Sequence, residues 1–242
     1  MRFSHSFGPY CFIRPKFSSS SLIVKLNGRT NLFKDQDKLL SLAWHKVEEV
    51  VEFKKNSGLK IVGVGYTVYL GGEEESQMLK EAAKIINHAH QYGLLAIIWM
   101  YPRNQAIKNE TDPHLLAGAV GVAASLGADF VKIKYPSSQV KAKLMNEAIL
   151  AAGRTKVIFA GGNKQEIKSF LEQSSFQINK LGTGGLAVGR NLHQRTLGEA
   201  GNFLRALGEI VYRGEDAKRA YQVFQGKIKI SNKKTKIIFG LF

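Results

Sequence analysis

GADFVKIKYP, residues 127–136, sets two lysines two positions apart inside an apolar run. Valine, isoleucine and phenylalanine favour extended backbone. Residues two apart in a strand share a face. Phe130, Lys132 and Lys134 then point one way, and Val131 and Ile133 the other. A solvated face is the ordinary explanation of such a lysine pair. Whether it holds here depends on the segments that flank it.

Similar apolar runs recur along the chain: LIVKLN (22–27), KIVGVGYTVY (60–69), LLAIIWMY (94–101), ADFVKIKY (128–135), KVIFAGG (156–162) and GLAVGR (185–190). Helical segments are expected between and after them, at 42–55, 73–92, 113–128, 138–152, 164–175, 191–210 and 215–225. Segment 73–92 opens on Glu73, Glu74 and Glu75, favourable at the positive end of a helix. Segment 113–128 opens on Pro113, which suits a first helical turn. The strand starts recur at the length of a βα unit. Strands apolar on both faces fit a parallel sheet covered by helices.

Repeated βα units permit a TIM barrel or an open doubly wound sheet. No G-x-G-x-x-G follows the first strand, and no P-loop pattern occurs. Polar and glycine residues gather instead at the strand C-terminal ends: Asn27, Tyr66, Trp99, Tyr101, Arg103, Lys132, Lys134, Gly161, Gly162 and Gly189. Barrel enzymes keep their active sites there. The expected class is therefore α/β, of the TIM-barrel (βα)8 family, incomplete with about six βα units. A missing pair would need roughly 60 to 90 further residues, which the first 20 residues cannot supply.

A length of 242 residues and 44% hydrophobic content suit one α/β domain with a sizeable core. The single cysteine, Cys11, leaves no disulfide framework and points to a reducing, cytoplasmic setting. A net charge of +16 attracts phosphates of any kind. That charge is uneven, because no acid precedes Asp35 and the end of the chain carries Lys227, Lys229, Lys233, Lys234 and Lys236. The organisation expected is a flexible basic leader at 1–21, weakly like an organellar transit peptide, a barrel domain at 22–225 and a basic extension at 226–242. No apolar run is long enough for a transmembrane helix, so no membrane partner is expected. No RNP-like, helix-turn-helix or zinc pattern supports nucleic acid as a partner. His88 and His90, two apart on a helix, diverge, and no histidine spacing suggests a metal.

IIWMYPRN (97–104) repeats the alternation of the lysine strand. Trp99, Tyr101 and Arg103 share one face, and Ile98 and Met100 the other. A phenol can relay a proton and a guanidinium can hold a phosphate. A tryptophan–tyrosine packing cluster with a surface arginine is the plainer alternative. FAGGNK (159–164) and GGLAVGRN (184–191) place Gly161, Gly162 and Gly189 after apolar strands, with Arg190 beside the last. Glycine lets backbone N–H groups approach an anion, and barrels often bind phosphate after their last two strands. A lysine inside a barrel is desolvated, and a second cation two residues away favours the neutral amine further. A neutral amine attacks a ketone to form a Schiff base. These residues together suggest a Schiff-base aldolase acting on a sugar phosphate.

VKLNGRTNL, VGVGYTVYLGGEEE, WMYPRN, GADFVKIKYP, AAGRTKVIFAGG and LAVGRNLHQR occur in an order and spacing that resemble the archaeal-type class I fructose-1,6-bisphosphate aldolases of the DeoC/FbaB family, from about residue 22 to about 225. The resemblance implies a TIM barrel, a phosphorylated sugar substrate, a homo-oligomer, and neither metal nor organic cofactor. By motif it implies Lys132 as the Schiff-base lysine, Lys134 as its neighbouring cation and Tyr101 as the acid/base group. Trp99 and Arg103 fall at substrate-contacting positions, and Gly161, Gly162, Gly189 and Arg190 in phosphate-binding loops. The family pattern also has two strands before VKLNG, the first ending in a DHG-like motif with a catalytic aspartate. MRFSHSFGPYCFIRPKFSSSS does not resemble that segment, so the expectation is an N-terminally incomplete relative. Other Schiff-base aldolases of the same fold, and a non-catalytic remnant, stand as alternatives.

Overall fold

In a computed structural model that describes residues 2–4, 20–29, 39–104, 106–136 and 144–230, seven strands form one parallel sheet. They are β1 (Arg2–Ser4), β2 (Leu22–Lys25), β3 (Ile61–Leu70), β4 (Leu95–Pro102), β5 (Phe130–Lys134), β6 (Lys156–Ala160) and β7 (Gly185–Ala187). Their spatial order is their chain order. A doubly wound sheet reverses direction at a switch point; this one never does. The order is that of a barrel wall, and the chain has the TIM-barrel-like α/β fold that the strand spacing suggested.

Six of the strands lie where the apolar runs placed them. β1 was not expected: three residues of the stretch read as a flexible leader pair in parallel with Leu22–Val24. Three residues are too few to show a period. The rest of the leader, including Cys11, the tail beyond residue 230 and the first part of the helix expected at 138–152 lie outside the described residues.

Side chains alternate as the pleat demands, and this divides the core in two. Val64, Tyr66, Ile98, Met100, Val131 and Ile133 face the helical layer and are fully buried. Burial of an aliphatic side chain of that size contributes roughly 1.5–3 kcal/mol. The other face gathers Ile23, Ile97, Trp99, Phe130 and Ile158 into a smaller cluster, which is the inner wall.

The helices are α1 (Val47–Ser57), α2 (Glu75–Gln91), α3 (Pro113–Ser125), α4 (Asn146–Ala151), α5 (Ile167–Ser175), α6 (Gly189–His193), α7 (Leu197–Arg213) and α8 (Ala217–Phe224). Two departures from expectation have clear causes. Residues 42–46 do not join α1, because their backbone is engaged elsewhere. Trp44 N donates to Leu26 O at 2.8 Å and Ala43 N to the Glu81 carboxylate at 3.1 Å. The single helix expected at 191–210 is two, α6 and α7. Thr196 adopts an extended conformation and its hydroxyl accepts from Glu199 N, which restarts the helix. His88 and His90 do diverge on α2: one meets Glu48 of α1 at 2.7 Å and the other Asp129, just before β5, at 3.0 Å.

Candidate active site on the inner wall

The parallel register brings the polar ends of the strands together. Trp99 pairs with Lys132, Lys132 with Ile158, and Lys134 with Ala160, which pairs in turn with Ala187. On the other side, Thr67 is opposite Trp99, Tyr69 opposite Tyr101, and Lys25 opposite Gly65. Lys25, Trp99, Tyr101, Lys132 and Lys134 thus share the C-terminal half of one wall.

Trp99 anchors this wall. Its ring lies across β3, and a Cβ on Gly65 would sit 2.3 Å from it. Only glycine lets the ring approach the neighbouring strand. Lys132 Nζ lies 5.3 Å from the centroid of that ring, and Lys25 Nζ lies 4.9 Å from it. Burial lowers Lys132 to about 8. Burial, with the charge of Lys132 as a lesser cause, lowers Lys25 to about 7. Each lysine is thereby partly neutral near neutral pH, which a nucleophilic amine requires.

The Lys134 ammonium donates to Glu110, which also accepts two bonds from Arg103, at 2.7 and 2.8 Å. Burial acts to raise Glu110, but the hydrogen bonds and charges of Arg103 and Lys134 outweigh it and hold the carboxyl below the ordinary range. Burial lowers Lys132, while Lys134, two residues on, is an ammonium ion-paired with Glu110.

Tyr101 stands one inward position beyond Trp99. Burial pushes its phenol up to about 12, and neighbouring Tyr69 adds to this. Arg103 lies 5.8 Å from the Tyr101 ring and 5.9 Å from that of Tyr69. The phenol is thus protonated at rest, with a cation close by. Tyr66, read as part of the polar rim, faces outward instead. It is fully buried, and its hydroxyl lies within hydrogen-bond reach of Ser41 O and the Glu81 carboxylate.

The glycine loops divide in the same way. Gly161 N donates to Ala187 O at 2.8 Å, and a Cβ on Gly161 would lie 2.6 Å from that oxygen. Its amide is committed to the β6–β7 junction. Gly162 takes a left-handed φ of 66°, which favours glycine. Gly189 and Arg190 open α6, and both are exposed. Asn191, fully buried, ties the two loops together. Its amide donates to Gly161 O at 2.6 Å and Asn163 O at 3.0 Å, and its oxygen accepts from Gln165 N. Arg195 braces the junction by donating to Asn191 O and Gln165 O.

Sequence reasoning singled out Lys132, Tyr101, Trp99, Arg103 and Lys134, and the structure gathers them on one wall. It missed Lys25, Glu110, Asn191 and Arg195. Lys25 was legible, since the alternation in LIVKLN sets Ile23 and Lys25 on one face just as FVKIK does for its lysines. Among the described residues no group of three histidine, cysteine, aspartate or glutamate side chains is placed to hold a metal ion. No helix among them is long and apolar enough to cross a membrane.

The pattern of the DeoC/LacD family aldolases matches residues 14–195. Over 207 residues the chain is 49% identical to a fructose-bisphosphate aldolase/6-deoxy-5-ketofructose 1-phosphate synthase of Methanocaldococcus jannaschii. That alignment covers 86% of this chain and 66% of the relative, so the chain spans about two thirds of the relative's length. The structure matches a fructose-bisphosphate aldolase from Slackia heliotrinireducens with a TM-score of 0.88 at 40% identity, covering 95% of this chain and 73% of that one. It also matches an archaeal fructose-1,6-bisphosphate aldolase whose catalytic lysine is covalently bound to the carbinolamine intermediate of its substrate. There the TM-score is 0.70 at 37% identity, covering 83% of this chain and 75% of that one.

Proposed function

The chain belongs to the DeoC/LacD family of aldolases, and on that premise we propose that it is a class I, Schiff-base aldolase cleaving fructose 1,6-bisphosphate to dihydroxyacetone phosphate and glyceraldehyde 3-phosphate. The observation that carries the reading is the Lys132 amine, turned onto the inner wall and lowered by burial to about 8.

In this mechanism neutral Lys132 Nζ attacks the C2 ketone, and the carbinolamine forms as a proton passes from nitrogen to oxygen. Tyr101, protonated at rest, donates its proton to the departing hydroxyl. Water leaves, and an iminium and a phenolate remain. Arg103, beside the Tyr101 ring, stabilises the phenolate. The phenolate then accepts the C4 hydroxyl proton as the C3–C4 bond breaks. The bonding electrons pass into the iminium, giving an enamine and releasing glyceraldehyde 3-phosphate. Tyr101 returns that proton to C3. Hydrolysis of the second iminium releases dihydroxyacetone phosphate and restores both groups. Arg103 and Lys134, two cations on the one Glu110 carboxylate, leave net positive charge near this wall, and with the +16 of the chain this favours a bisphosphate.

Borohydride reduction in the presence of dihydroxyacetone phosphate tests the proposal. Intact mass and peptide mapping should show an adduct on Lys132 that Lys132→Met abolishes. A folded wild-type sample without an adduct, or an adduct that survives Lys132→Met, would overturn it. The M. jannaschii relative's name also includes a 6-deoxy-5-ketofructose 1-phosphate synthase. That favours a second reading, transfer of the same three-carbon enamine to a different aldehyde. Product analysis with alternative aldehyde acceptors separates the two.

A further inference from the structure

We propose that Glu110 is a specificity-determining residue: its carboxylate already occupies the Arg103–Lys134 pair, so that only a more highly charged anion, a phosphate, takes its place. This inference deepens the proposed function and rests on its reading of the inner wall as the face that meets the substrate.

One carboxylate is held by two cations at the rim of the wall. Arg103 Nε donates to one Glu110 oxygen at 2.7 Å and Nη2 to the other at 2.8 Å, and Lys134 Nζ donates to the second oxygen as well. This fork is the planar two-bond geometry by which a guanidinium binds carboxylate and phosphate alike. The side chains of Arg103, Lys134 and Glu110 stay 30, 35 and 27% exposed, so a ligand on the wall reaches all three. A third cation borders them. Arg29 lies 5.8 Å from the Tyr69 ring, and Arg103 lies 5.9 Å from the same ring.

The segment that carries Glu110 is fastened at both ends. Ile107 rests against Gly71, where a Cβ would lie 3.0 Å from its Cδ1, and Asp112 caps α3. Between these points the backbone bonds are local: Thr111 N donates to Asn109 Oδ1 and Asp112 N to Asn109 O. Among the described residues, the hydrogen bonds that tie residues 108–111 to the wall are the three that Glu110 accepts. Charge therefore holds this stretch in place, and a stronger anion can replace it.

The competition selects for charge. Glu110 belongs to the chain and is present at its site at a high effective concentration. A carboxylate ligand offers the same charge and the same two oxygens, so it gains nothing by exchange. A neutral hydroxyl offers less. A phosphate brings a charge of about −2 and three acceptor oxygens, enough to bridge Arg103 and Lys134 once Glu110 has turned away.

Inorganic phosphate is the probe, titrated calorimetrically at constant ionic strength, with acetate as the singly charged control. Glu110→Gln should bind phosphate about tenfold more tightly than the wild type. That is the low end of the effect of a like charge within about 4–6 Å, because the rim is solvated. The gain should vanish when Arg103→Met is added. Loss of a carboxylate that served only as a brace would weaken binding instead. A second measurement needs no variant: phosphate should speed amide hydrogen exchange at 108–111 in the wild type as Glu110 lets go, and acetate should leave it unchanged. The inference is overturned if Glu110→Gln binds phosphate no more tightly than the wild type, or if the gain survives Arg103→Met. It is equally overturned if phosphate leaves exchange at 108–111 unchanged or slows it, or if acetate acts as phosphate does. Failure of trapping on Lys132 sinks the aldolase reading alone, because neither measurement involves a Schiff base.

Discussion

Two lysines two residues apart have opposite fates on one strand. Lys132 is held in an apolar setting beside Trp99, while Lys134, nearer the rim, is ion-paired with Glu110. The difference is one of depth, not of residue type: the deeper amine meets an indole, and the shallower one a carboxylate carried on the segment 106–112. The same reasoning applies to Gly65. Its replacement by alanine would set a methyl group 2.3 Å from the Trp99 ring and close to the Lys25 side chain. Overpacking of this kind costs about 1–3 kcal/mol. Gly65→Ala is expected to lower the midpoint of urea unfolding accordingly. It should also slow borohydride trapping on Lys132, because the ring that shelters both amines must move. Normal trapping in a destabilised Gly65→Ala protein would show that the ring does not position the amine.

At the scale of elements, the C-terminal loops owe their shape to capping and to one asparagine. The turn at 194–196 stops α6, and Thr196 starts α7. This allows Arg195 to lie back across the loops, bonding Asn191 O, Gln165 O and Glu199 while its guanidinium rests 5.2 Å from the Phe203 ring. Thr196→Ala removes the cap and should cost about 1 kcal/mol, read as a lower unfolding midpoint. Thr196→Ser should restore it. Helical periodicity across 191–210 hid this break, because the apolar spacing continues through it. A threonine three positions before a glutamate was the available signal.

For the whole molecule, two lysines buried on one wall make stability depend on pH in an unusual direction. Lys25 and Lys132 release their protons at about 7 and about 8 in the folded chain, against an ordinary value of 10.5. Between those values the unfolded chain binds more protons than the folded one, so stability rises with pH. Tyr66, Tyr69 and Tyr101 are raised when folded and act in the opposite sense, but only above about pH 10. Urea midpoints should therefore increase from pH 7 to pH 9.5, and Lys25→Met should flatten the rise. A midpoint that falls over that interval in the wild type would contradict the burial of both amines in a shared site. The basic surface contributes in the same direction, since raising the pH relieves self-repulsion, which is why the difference between wild type and Lys25→Met is the informative quantity.

Alternation at period two determined which residues of each strand share a face, and the recurrence of βα units determined a parallel sheet. Both are local patterns, written within a few residues of one another, and so Lys132, Tyr101, Trp99 and Arg103 could be read as one wall from the sequence. Which groups meet across that wall was decided by register and distance. Lys25 and Lys132 lie 107 positions apart in the chain and share one indole ring only because β2 to β5 lie side by side. Glu110 takes the charge of Lys134 only because its loop folds back over the strand ends. Periodicity carries no information on such pairings, and the charge state of each amine, on which its chemistry depends, follows from them.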